Sequence, residues 1–214
     1  MVHVKICGVR TADDARACVD LGASAIGVNF VPSSPRVVDV ATARDIARAV
    51  HATGAKVIVV GVVAGMSVEA LRALVTEAEL DCLQLHGDES ADDLRALLPH
   101  AYKAVRIASP ADVAHARSFP GDHILVDAKV EGALGGTGAS FDWGLVRDLA
   151  RERSLTLAGG LHPNNVADAV RAVNPYCVDV ASGVESAPGT KDLAKVRAFV
   201  EAARAAAGLL SSLS

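Results

Sequence analysis

Aromatic side chains are scarce in this 214-residue chain, where Trp, Tyr and Phe together make up 3% of the residues. Ala, Val and Leu must therefore do most of the packing. That suits helices laid on buried parallel strands, where small and β-branched side chains fit closely. Basic residues do not outnumber acidic ones: 21 Lys and Arg stand against 25 Asp and Glu, for a net charge of −4. Without a Lys/Arg stripe the chain is a poor candidate for nucleic acid or for an anionic membrane surface. Met1-Val2-His3-Val4-Lys5 lacks a basic segment followed by a long apolar stretch, so no secretory signal is evident. The longest apolar run, around Val57 to Met66, contains Gly61 and Gly65 and is too short to span a bilayer. It reads as a buried strand and its following loop. Cys7, Cys18, Cys82 and Cys177 lie far apart, with no Cys-x-x-Cys pair and no zinc-like Cys/His spacing. They read as reduced thiols in a cytoplasmic protein, with Cys18, Cys82 and Cys177 as small buried hydrophobes.

What the chain does have is an alternation of short β-branched runs with Ala-rich helical stretches. The pattern predicts strands at Val2–Cys7, Ala25–Phe30, Lys56–Val63, Asp81–His86, Ala101–Arg106, His123–Ala128, Ser154–Ala158 and Cys177–Ser182. Helices are predicted over Ala12–Leu21, Ala41–Ala52, Val68–Glu77, Ser90–Leu98, Ala111–Ser118, Trp143–Arg153, Asn164–Val173 and Asp192–Ala207. Such alternation argues for parallel βαβ units. Eight units close a (β/α)8 barrel, whereas fewer would leave an open doubly wound sheet, and the count favours the barrel. No domain linker interrupts residues 1–214, which read as a single (β/α)8-barrel domain.

Local chemistry supports the first unit. Thr11 caps a helix starting at Ala12, with Asp13 and Asp14 near its positive end and Gly22 as the residue just past its close. Strand alternation then points side chains. Val2, Val4 and Ile6 share one face of the first strand, and Ile124 and Val126 share one face of the sixth. If those faces meet the helices, Lys5, Cys7 and Asp127 point into the barrel, and Gln84 and His86 follow the same pattern. Several polar residues at corresponding strand ends argue for a site, because barrel enzymes carry their chemistry at the C-terminal ends of the strands. The Gly-rich stretch Lys129–Ser140 follows a predicted strand on that side and reads as a loop, mobile and functional or merely passive. Gly135-Gly136-Thr137-Gly138 within it lacks the Gly-Lys-Ser/Thr ending of a P-loop and the third Gly of a dinucleotide fingerprint.

Taken in order, Lys5-Ile6-Cys7-Gly8 with Asp14-Ala15, Gly27-Val28-Asn29-Phe30, Ser34-Pro35-Arg36 and Gln84-Leu85-His86-Gly87 form one series of short motifs. Asp127, Gly135–Gly138, Phe141-Asp142-Trp143, Leu157-Ala158-Gly159-Gly160-Leu161 with Pro163 and Asn165-Val166, Val178-Asp179-Val180 and Ser182-Gly183-Val184-Glu185 continue it. Each motif alone is weak, but their joint order and spacing resemble phosphoribosylanthranilate isomerases over nearly the whole length. Three positions depart from the family pattern. Val28 stands where Phe is frequent, Ala181 where Ser usually precedes Ser182, and Asn164 where an acidic residue is frequent. Ala181 lacks a hydroxyl, so no phosphate contact from that side chain carries over.

The resemblance implies an Amadori rearrangement of N-(5-phosphoribosyl)anthranilate to 1-(2-carboxyphenylamino)-1-deoxyribulose 5-phosphate, a step of tryptophan biosynthesis. That chemistry needs an acid to protonate the ring oxygen and a base to take the C2 proton. By position Asp127 resembles the acid and Cys7 the base, and no metal or other cofactor is required. Asp127 must then hold a transferable proton, which burial or neighbouring negative charge favours. Cys7 must reach its thiolate form, so a positive neighbour should lower its pKa, and Lys5 is one source of that charge. Arg36 is the candidate for the anthranilate carboxylate. His86 and Asp179 are candidates for lining the pocket. Gly159, Gly160, Ser182 and Gly183, after the last two strands, are candidates for holding the phosphate. The expected partner is thus a small phosphorylated substrate, with no nucleic acid and no membrane, and no feature specifies an oligomeric state.

A related phosphoribosyl isomerase of histidine biosynthesis is the closest rival. That family pairs two aspartates, and Cys7 argues against it, although dual activity stays open. A phosphosugar aldolase lacks its well-placed strand-end Lys here. A non-catalytic barrel that binds phosphorylated ligands is disfavoured because both the Cys and the Asp are retained.

Overall fold

A computed structural model describes residues 1–127 and 143–211. Eight parallel strands close into a barrel in sequence order: β1 (His3–Cys7), β2 (Ala25–Asn29), β3 (Ile58–Val63), β4 (Cys82–Leu85), β5 (Ala101–Arg106), β6 (His123–Asp127), β7 (Ser154–Ala158) and β8 (Cys177–Val180). The helices that follow them are α1 (Ala12–Asp20), α2 (Val40–His51), α3 (Val68–Glu77), α4 (Ala91–Leu97), α5 (Pro110–Ser118), α6 (Gly144–Glu152), α7 (Val166–Val173) and α8 (Leu193–Ser211). This is the (β/α)8 barrel expected from the alternation. A short antiparallel hairpin, β9 (Glu185–Ala187) and β10 (Thr190–Lys191), is inserted before α8. The Gly-rich stretch Lys129–Ser140 lies outside the described residues, as do Ala128, Phe141 and Asp142.

Side-chain caps set where several helices begin. Thr11 Oγ1 accepts from the Asp14 amide at 3.1 Å, and Asp39, Ser67 and Ser90 cap α2, α3 and α4 in the same way. Each cap contributes about 1 kcal/mol. Gly22, at φ +97°, ends α1 as expected. The eighth strand stops short of its predicted end. Ala181 leaves extended geometry (φ −118°, ψ −83°), and Ser182–Val184 form a single 3-10 turn instead.

Alternation sorts the strands as the sequence predicts. Val4, Ile6, Ile124 and Val126 are fully buried in the layer between barrel and helices. Burying each contributes roughly 1.5–3 kcal/mol relative to leaving it in water. A separate, smaller cluster fills the barrel interior with Ala25, Val60, Tyr102, Ala104, Leu125 and Ala158. Among these apolar side chains sit the polar Lys5, Gln84, Thr156 and Asp179, all buried. In the barrel register Lys5 lies beside Ala25 on one side and Asp179 on the other, and Cys7 lies beside Gly27.

Candidate active site

Above that polar layer, at the C-terminal ends of the strands, a cavity of about 340 Å³ opens. Cys7 from β1, His86 after β4 and Asp127 from β6 line it, with Asp179 from β8. Arg36 reaches it from the loop after β2, and Gly159, Gly160 and Ser182 close it from the loops after β7 and β8. Gly183 is different. It lines a shallow hollow behind the cavity with His162, Pro163 and Lys195.

Two glycines make room for this arrangement. A Cβ on Gly27 would sit 2.9 Å from Cys7 Sγ and 3.2 Å from Lys5 Cε, so its absence is what admits both side chains to the interior. Gly8, at φ +73°, would drive a Cβ to 2.3 Å from Arg36 Cδ. The Cys-Gly pair therefore presents the thiol and lets the arginine stem cross directly over the next residue.

Lys5 organises the floor. Its ammonium donates to Gln84 Oε1 at 2.9 Å and to Asp179 Oδ2 at 3.0 Å. Tyr102 Oη donates to the same Gln84 oxygen at 3.1 Å. Lys has donors only, so the Gln84 oxygen must face it, and the amide Nε2 then faces His86 Nδ1 at 3.0 Å. That bond network assigns the His86 proton to Nε2. Burial pushes the imidazole below its ordinary pKa while Asp127 pulls it back up. His86 is accordingly a neutral donor at pH 7. Its loop is pinned from behind by Glu89, which accepts from the Gly65 and Gly87 amides at 2.8 and 2.9 Å and pairs with Lys103 at 2.8 Å.

Burial pushes the Cys7 thiol above its ordinary pKa, against the opposing pull of Lys5. This reverses the direction expected from the sequence. The positive neighbour is present, but the cost of charging a sulfur away from water exceeds it, and Asp179 adds to that cost. Asp179 has a further feature: Oδ1 is buried with no hydrogen-bond partner among the described residues.

Arg36 is held before any ligand arrives. Ser34 Oγ accepts from its amide at 3.1 Å, and its Nε and Nη2 donate to the two oxygens of Glu185 at 2.7 and 2.6 Å. That side-on pairing uses two of the five guanidinium N–H donors and leaves the Nη1 edge for another acceptor.

The family model described as N-(5'-phosphoribosyl)anthranilate (PRA) isomerase matches residues 4–202, which carry every residue of this cavity. The chain belongs to the N-(5'-phosphoribosyl)anthranilate isomerase family. Like the rest of the family, it is an enzyme, an isomerase. It is 44% identical over 207 residues to N-(5'-phosphoribosyl)anthranilate isomerase of Myxococcus xanthus, covering 95% of this chain and 96% of that one. Its barrel superposes on the crystal structure of phosphoribosyl anthranilate isomerase from Thermotoga maritima with a TM-score of 0.85 at 36% identity, covering 96% of this chain and 100% of that one. A phosphoribosyl anthranilate isomerase crystallised with reduced 1-(o-carboxyphenylamino)-1-deoxyribulose 5-phosphate matches with a TM-score of 0.82 at 34% identity, covering 96% and 100%.

Cys7, Arg36, His86, Asp127, Gly159, Gly160, Asp179 and Ser182, singled out in the sequence of this isomerase family member, thus converge on one cavity. Glu185 was legible only as the end of a motif. Its grip on Arg36 spans 149 positions of sequence, and no local pattern signals it. Among the described residues no helix is long and apolar enough to cross a membrane.

Proposed function

We propose that this cavity converts N-(5'-phosphoribosyl)anthranilate to 1-(2-carboxyphenylamino)-1-deoxyribulose 5-phosphate, with Asp127 as general acid and Cys7 as general base. The observation that carries this reading is the convergence of those two groups, from the ends of β1 and β6, on a cavity with an arginine at one edge and a glycine-lined turn at another. Asp127 gives its proton to the ribose ring oxygen as the C1–O bond breaks and the anilinic nitrogen forms C=N. Cys7 then removes the C2 proton, and those electrons form the C1=C2 enolamine. The Cys7 thiol then returns a proton to C1 while the C2 hydroxyl gives its own to the Asp127 carboxylate, which yields the ketone and restores both groups, so the reaction is a net isomerisation that consumes no co-reactant.

The free edge of Arg36 takes the anthranilate carboxylate, and Gly159 and Gly160, whose φ values of +95° and +63° favour glycine, form with Ser182 the turns that surround the phosphate. The unpartnered Oδ1 of Asp179 accepts from a substrate N–H or hydroxyl, and His86 donates from Nε2. The reaction belongs to tryptophan biosynthesis. Residues 1–214 act as one barrel domain, and the four unpaired cysteines support a cytoplasmic setting.

Arg36→Ala tests the anchor. It removes a charged donor pair, so KM rises at least about tenfold while kcat changes less. An unchanged KM would remove the loop after β2 from the site. Gly183→Val tests the phosphate side from behind. Its Cβ would meet the Leu161 carbonyl oxygen at 2.0 Å and His162 Cα at 3.0 Å, both backbone, so the loop after β7 must shift. Such overpacking costs about 1–3 kcal/mol. Titration with the reduced product analogue should show weakened binding, and an unchanged Kd would separate Gly183 from the phosphate turn.

A further inference from the structure

Lys191 has no part in the reaction as written above, yet its side chain is completely buried next to it. A buried ammonium is costly unless each N–H finds an acceptor, and here each does. Lys191 Nζ donates to the Cys7 carbonyl at 2.6 Å, to the Ala181 carbonyl at 3.2 Å and to Glu185 Oε1 at 2.9 Å. The first acceptor ends β1, the second ends the run of β8 before the turn at Ser182, and the third begins β9. Glu185 extends the constraint, since its two oxygens hold Nε and Nη2 of Arg36. Lys195 of α8 secures the Glu185 backbone in turn, donating to its carbonyl at 2.8 Å.

We propose that Lys191 is a positioning residue for the reaction, locking the Cys7 end of β1, the turn after β8 and, through Glu185, the Arg36 guanidinium into one frame. The proposal rests on the reading of Cys7 as base and Arg36 as anchor. A buried ion pair is a weak means of stabilising a fold, because apolar replacements of similar size are often neutral. What apolar groups cannot do is tie three chain segments at fixed distances from one point. The charge also matters locally. Cys7 is faced by Lys5 from β1, Asp179 from β8, Lys191 from β10 and Arg36 from the loop after β2. Lys191 itself faces Cys7, Glu185 and, from α1, Cys18. Lys5 and Lys191 both favour the Cys7 thiolate, so losing Lys191 removes part of what opposes burial.

The test compares Lys191→Met and Glu185→Gln with the wild type by two readouts. One is KM. The other is the pH midpoint of Cys7 alkylation by iodoacetamide, read on the Cys7 peptide by mass spectrometry. Cys82 is pushed up to about 11 and Cys18 and Cys177 up to about 12, so they react slowly and are resolved by peptide. Lys191→Met is expected to raise KM about tenfold or more and to move the midpoint upward by about one pH unit or more. Glu185→Gln is expected to raise KM with the midpoint unmoved, because Glu185 faces Arg36 and Lys191 rather than Cys7. A lysine that met Cys7 only as a nearby charge would move the midpoint and leave KM at the wild-type value in a folded variant, which also overturns the shared frame. A folded Lys191→Met protein with wild-type KM and midpoint overturns the proposal. Should Lys191→Met fail to fold, Glu185→Gln decides: raised KM supports the shared frame, and wild-type KM overturns it. If Cys7→Ser and Arg36→Ala both kept wild-type kinetics, the reading of the site would fail instead, whatever Lys191 does.

Discussion

Cys7→Ser lowers kcat by at least about 10²-fold, the usual scale for losing a general base, while binding of the reduced product analogue survives. Serine keeps nearly the size of the thiol, so the space left by Gly27 stays filled and the interior packing is undisturbed. Only the acidity changes, because a hydroxyl ionises far less readily than a thiol. The native thiol is itself pushed above its ordinary value by burial, with Lys5 and Lys191 opposing. Thiolate is therefore a minor form of the ligand-free protein at neutral pH, and Cys7 alkylation should rise steeply with pH to a midpoint above that of an ordinary thiol. With substrate deuterated at C2, the variant should be slow to release the label. Rapid washout from Cys7→Ser would assign the base to another residue.

Asp127→Asn likewise lowers kcat by at least about 10²-fold, but it blocks an earlier step. The amide has the shape of the acid and no proton to give to the ring oxygen. Substrate should then stay closed, and borohydride should trap little open-chain imine, whereas Cys7→Ser should still accumulate trappable imine. Label at C2 should be retained in both variants, for different reasons. Imine trapping at the wild-type level in Asp127→Asn would place the acid elsewhere.

Much of this was legible in the sequence, because a strand has a period of two. Once Val4 and Ile6 face the helices, Lys5 and Cys7 must face the interior, and the same logic sends Asp127 inward beside Ile124 and Val126. Caps such as Thr11 are equally local and fell where the residue types placed them. What was not legible depends on segments distant in the chain. Lys191 sits in a two-residue strand, too short to show periodicity, and bonds a carbonyl 184 positions away. The direction of the Cys7 shift needed the balance of burial against charge, which a neighbouring Lys5 in the sequence does not reveal. Gly183, a candidate for holding the phosphate, also makes a close backbone approach to Leu161, and a Gly after the eighth strand does not signal that contact in the sequence.

The most direct measurement follows the fluorescence of freshly generated N-(5'-phosphoribosyl)anthranilate mixed with the purified protein, without added metal or nucleotide. The fluorescence should fall with wild-type protein, at the same rate with EDTA present, and should persist with Cys7→Ser. Decay at the wild-type rate with Cys7→Ser, or turnover confined to the aminoimidazole substrate of the histidine-pathway isomerase, would contradict the account.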